Sequence, residues 1–137
     1  MSRMQRGDLR DKKSMAFSIL LILAGLMGAA GVVLAAAGAH AAPHAGLASA
    51  AYLLLFHATA VLGGTALTQQ GLVWRPLALA AAIAWVVGAV LFAGDVSARA
   101  FIGHRLFVFA APAGGTILIA AWLAFAVAAL AAALHRG

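Results

Sequence analysis

The chain has 137 residues, of which 66% are hydrophobic and only 9% charged, with a formal net charge of +6 and a mean hydropathy of +1.07. Soluble domains carry roughly 25% charged residues, so the composition excludes a water-soluble globule and leaves an integral membrane protein with room for one domain. The absence of cysteine excludes disulfides, thiolate metal sites and thiol redox chemistry.

A membrane-spanning helix needs about 20 apolar residues, and residues 15–38, 46–67, 76–93 and 106–134 each supply such a stretch. They predict an all-α fold, an integral membrane four-helix bundle with a single four-span domain over 15–134. Residues 1–14 form a basic cytoplasmic N-terminus, and residues 135–137 a cytoplasmic tail. Arg3, Arg6, Arg10, Lys12 and Lys13 precede the first span. Cations in that position fix topology and meet anionic headgroups of the lipid bilayer. No basic face or aromatic platform outside the bilayer suits nucleic acid. Arg75 and Arg136 fall on the same side as these five, and Arg99 and Arg105 on the other. The positive-inside rule therefore places both termini in the cytoplasm, with the protein multi-pass in a bacterial inner membrane. The basic start, the apolar run and Ala39-His40-Ala41 also resemble a cleaved secretory signal. However, residues 15–38 extend about 36 Å as helix, well beyond a signal core of roughly 7–15 residues, and an uncleaved first helix is expected.

Along the first span Gly25, Gly28, Gly31 and Ala35 make a small-residue strip. Ala60 and Gly64 repeat the pattern in the second span, Ala84 and Gly88 in the third, and Ala111, Gly114 and Gly115 in the fourth. Helices in lipid associate through such surfaces, so a tight bundle with little interior volume is predicted. Pro43 and Gly46 break the first connection, Gln69-Gln70-Gly71 forms the second, and Trp74 beside Arg75 and Pro76 occupies an interfacial position. Gly94-Asp95 is expected to end the third helix. Pro112 lacks an amide donor and would crowd the carbonyl of Val108. A kink is expected there, with a short interfacial segment before a helix starting near Ala113 as the alternative.

His57 lies near the middle of the second span, where ionisable groups are costly and face the bundle interior. One reading is structural, a neutral imidazole bonded to a carbonyl or hydroxyl on a neighbouring helix. The functional readings are a proton relay and a haem ligand. Bis-histidine haem ligation needs a partner at similar depth, and the other four histidines fall at helix ends or in loops. His40, His44, Asp95 and His104 could reach one membrane surface, and two imidazoles with a carboxylate can hold a metal. Pro43 interrupts the first pair, though, and Arg99 and Arg105 offer Asp95 ion pairs. Loop hydrogen bonds are the expected role of this cluster, and no metal or cofactor is expected. There is no glutamate, and the three aspartates lie outside the predicted spans, so no paired carboxylates exist for acid–base work. Ser14, Ser18, Ser49 and Ser97 lack a nucleophile elbow, and no phosphate-binding loop occurs. No catalytic residue is expected.

Gly38-Ala39-His40, Phe56-His57-Ala58, the run from Gly88 to Gly94, Pro112-Ala113-Gly114-Gly115 and Ala121-Trp122 occur in that order. This set resembles the small four-helix membrane proteins of the domain of unknown function 423 family, the YgdD-like proteins. Their pattern runs Gly-Ala-His, Tyr-Gln-x-x-His, Leu-Phe-Ser-Gly, then Thr-Pro-x-Gly-Gly ahead of Gly-Trp, and the likeness covers roughly residues 15–134. Tyr52 stands five residues before His57 rather than four, the glutamine position is apolar, and Ala93 and Ala111 replace hydroxyl residues. The resemblance implies a four-helix inner-membrane protein with both termini inside, and it supplies no activity. The expected role is a structural or accessory protein that packs in a larger membrane complex, assists its assembly, or self-associates. The alternative is a small oligomeric transporter or proton-coupled channel using His57, and the third reading is a metal or haem redox protein.

Overall fold

A computed structural model describes residues 3–40 and 46–136, with side chains from Met15 onward. Four helices account for nearly all of it: α1 (Arg3–His40), α2 (Leu47–Gln69), α3 (Arg75–Phe101) and α4 (Ala110–Leu134). Each contains a segment long and apolar enough to cross a membrane, and there is no strand among the described residues. The protein is an all-α membrane bundle. Pro43 and His44 lie outside the described residues.

The turn between α2 and α3 is written plainly in the sequence. Gly71 adopts φ +72° just past the Gln70 cap. Its N–H donates to the Thr68 carbonyl at 3.2 Å, and the Leu72 N–H to the Leu67 carbonyl at 3.0 Å. This paired arrangement satisfies carbonyls that the helix end would otherwise strand. Helix α3 then starts at Arg75, with Pro76 in the first turn, where a missing amide donor costs no helical bond.

Two helix ends differ from the sequence expectation. Helix α3 does not stop at Gly94-Asp95 but runs to Phe101. The stop is made at Ile102, whose N–H donates to the Ala98 carbonyl, and at Gly103 with φ +83°. Asp95 is therefore inside the apolar helix, not beyond it. Helix α4 begins at Ala110, so residues 106–109 are not helical and Pro112 sits in the first turn. The expected kink is replaced by a helix start. Val108, whose carbonyl the proline ring would have crowded, lies outside the helix, and the conflict does not arise.

The four helices form an open arrangement. Extensive interfaces join α1 to α2, α2 to α3 and α3 to α4, while α1 and α3 touch over a small area. In their most apolar windows, 44% of α2 and α3 positions are buried against 22% for α1 and α4, which makes α2 and α3 the central pair. Small residues set the approach at each seam. A Cβ on Gly31 would meet the Leu55 side chain at 2.8 Å, and one on Gly64 would meet Trp85 at 2.9 Å. At the α3–α4 crossing, a Cβ on Gly88 would lie 2.9 Å from the Gly114 carbonyl oxygen, and one on Gly114 would lie 2.7 Å from that of Gly88. Gly28 has space for a methyl beside Ala58, whereas Gly25 and Gly115 face open space and take no part in these seams.

Candidate functional site

His57 sits midway along α2 and is 5% exposed. Both ring nitrogens have partners. Nδ1 lies 2.7 Å from the Leu53 carbonyl one turn earlier, and the indole Nε1–H of Trp122 on α4 donates to Nε2 at 3.2 Å. An indole can only donate, so Nε2 accepts and the ring proton resides on Nδ1. The result is a neutral imidazole that bonds its own helix and reaches across to α4. The structural reading anticipated a neighbouring carbonyl or hydroxyl, and the cross-helix partner is instead an indole. Tyr52 is largely exposed and is not that partner.

An aromatic stack holds Trp122 in place. Its ring centroid is 4.6 Å from that of fully buried Trp85 on α3, and Trp85 in turn lies 5.0 Å from Phe125. Offset and tilted ring pairs at these separations contribute about 0.5–1.5 kcal/mol each beyond the area they bury. The Gly64 seam admits Trp85 and Phe125 against α2. A shallow groove beside the pair is lined by Leu53, Phe56, His57, Thr59, Ala60 and Trp122, with apolar surface predominating. Elsewhere on the central helices, Thr65 Oγ1 and Trp85 Nε1 are buried without a hydrogen-bond partner among the described residues.

The second polar centre lies at the end of the bundle opposite the termini. Asp95 is 1% exposed. Its Oδ2 pairs with the Arg99 guanidinium at 2.8 Å, and its Oδ1 accepts the Leu106 N–H at 3.0 Å. The carboxylate thus staples the α3–α4 connection to α3, and charge-assisted bonds of this kind are roughly twice as strong as neutral ones. His104 is exposed and faces the Arg105 carbonyl, and His40 is exposed at the end of α1. Among the described residues, no three histidine or acidic side chains converge as metal ligands. The structure ties the α3–α4 connection to Asp95 but does not bring His40 or His104 to it.

The opposite end is closed by basic residues that the sequence places with the termini. The Arg75 guanidinium lies 4.8 Å above the Phe17 ring, and Arg136 donates to the Gly71 carbonyl at 2.7 Å. The Trp74 N–H reaches the Ala128 carbonyl on α4 at 2.8 Å.

The His57–Trp122 bond was not read from the sequence. Its signal was the tryptophan of Ala121-Trp122, a polar-tipped ring in an otherwise apolar span. No curated protein and no solved structure matches the chain. The family described as "Protein of unknown function (DUF423)" matches residues 34–115, which include α2, α3 and the glycine crossing of α4. With more than half its length matched, this small four-helix membrane protein belongs to the DUF423 family.

Proposed function

We propose that the protein is a non-enzymatic structural or accessory component of a membrane assembly, with His57 as a polar pin that fixes the register of α2 against α4. The observation that carries this reading is the engagement of both His57 nitrogens inside the bundle. A histidine holding haem iron needs a free nitrogen, and one relaying protons needs partners that can pass them on. Here the two nitrogens are engaged by a backbone carbonyl and an indole N–H, which are poor proton carriers. The partners are a larger membrane complex or further copies of the chain, reached through the lightly buried flanks of α1 and α4. The proposed location is the bacterial inner membrane, with both termini cytoplasmic, supported by seven of nine basic residues at the terminal end.

Mild-detergent extraction of a tagged copy from its native membrane, native-gel sizing and mass spectrometry test this reading. A defined complex of fixed stoichiometry is expected. Migration as a monomer would count against it.

The transport alternative has one observation in its favour. Thr65 Oγ1 and Trp85 Nε1 are buried polar atoms without partners among the described residues, and such groups invite ordered water. His57→Ala separates the two readings. Under the structural reading the protein level falls, whereas under the transport reading the level holds and proton or ion flux in proteoliposomes changes.

A further inference from the structure

The α3–α4 connection combines two kinds of surface. Phe101, Ile102, Leu106, Phe107, Val108 and Phe109 are each more than half exposed, and His104 and Arg105 lie among them. Apolar and aromatic side chains interleaved with a guanidinium and an imidazole suit the boundary between headgroups and acyl chains. Behind the connection, a groove of about 380 Å³ is lined by Phe92, Asp95, Arg99, Arg105, Pro112 and Gly115.

The charges around this groove do not cancel. Asp95 is the sole acidic residue after residue 11, and its two oxygens are taken by Arg99 and the Leu106 N–H. Arg105 has no acidic partner among the described residues and makes a long 3.4 Å contact to the Val108 carbonyl. The groove therefore has one uncompensated guanidinium at its mouth, with a second beside it whose charge is balanced from below. It is open on the side of Gly115, where an added Cβ would meet no atom within 4 Å, and Phe92 adds apolar surface to its wall.

We propose that this groove binds one anionic phospholipid, with the phosphodiester held by Arg105 and Arg99 and an acyl chain lying along Phe92 and Gly115. A guanidinium presents five donors in a fork that matches phosphate oxygens, and Arg99 has donors to spare beyond its bond to Asp95. The side formed by Phe92 and Gly115 alone would accept any lipid tail, so Arg105 is what selects for negative charge.

The test is native mass spectrometry of the delipidated full chain titrated with phosphatidylglycerol or phosphatidylcholine. The wild type binds one phosphatidylglycerol with about a tenfold preference over phosphatidylcholine, the effect of one charge-assisted contact. Arg105→Gln brings the two lipids to near parity. Gly115→Leu, which the open side accommodates, weakens phosphatidylglycerol binding without removing any charge. Arg136→Gln removes the same charge at the opposite end and leaves the preference intact. Three results would overturn the proposal: no preference in the wild type, equal loss in the Arg105 and Arg136 variants, or displacement of the lipid by millimolar inorganic phosphate, which would make free phosphate the ligand.

Discussion

Trp122 and His57 form a donor–acceptor pair in a medium with no competing water. Removing one partner there leaves the other unsatisfied. Trp122→Phe keeps a ring on Trp85 but strands Nε2 of His57. It should cost about 1 kcal/mol, within the range of interhelical bonds in membranes, read as a lower unfolding midpoint in detergent. Asp95→Asn should destabilise more, by about 2–3 kcal/mol, because Arg99 then loses its counter-charge in a partly buried setting. Double-mutant cycles on each pair check both values. His57 was recognisable from the sequence because a single polar residue interrupts an apolar span. Its partner was not, because an indole counts as apolar in any hydropathy profile and only the fold brings residues 57 and 122 together.

The ends of α2 and α3 follow from the glycines that adopt positive φ, and these were legible only in part. Gln70-Gly71 ended α2 as expected, but Gly94 stayed helical and Gly103 ended α3. The difference lies in Asp95: read as a loop residue, it is instead neutralised by Arg99 one turn on, which lets the helix continue. The position of Pro112 follows in turn, because a longer α3 takes up chain and α4 begins only at Ala110. Pro112→Ala should change stability by less than about 0.5 kcal/mol, since no helical bond is restored in a first turn. The glycines divide sharply. Gly114→Val should destabilise by about 1–3 kcal/mol through overpacking against α3, whereas Gly25→Val should leave stability nearly unchanged. Thermal denaturation of the two variants side by side checks the contrast. Sequence reading gave all the small residues the same role because it cannot tell which face of a helix meets a neighbour.

At the scale of the molecule, basic residues mark one end of the bundle and a staple of charge and apolar side chains marks the other. With the proposed orientation, green fluorescent protein fused after Arg136 should fluoresce in the cytoplasm. Alkaline phosphatase inserted between residues 102 and 109 should be active outside it, and the reverse pattern would invert the topology. The four spans were legible from hydropathy because lipid demands uninterrupted apolar length. The openness of their arrangement was not, because composition reports what a helix face contains and not what covers it. That openness bears on biogenesis. Every extensive interface joins helices that are consecutive in the chain, so each helix after α1 finds a neighbour with which it packs extensively already in the membrane. Assembly can keep pace with synthesis, and what distant early segments await from the end of the chain is confined to small contacts, such as the indole of Trp122 back to His57, Phe125 against Gly64 and Arg136 back to the Gly71 carbonyl.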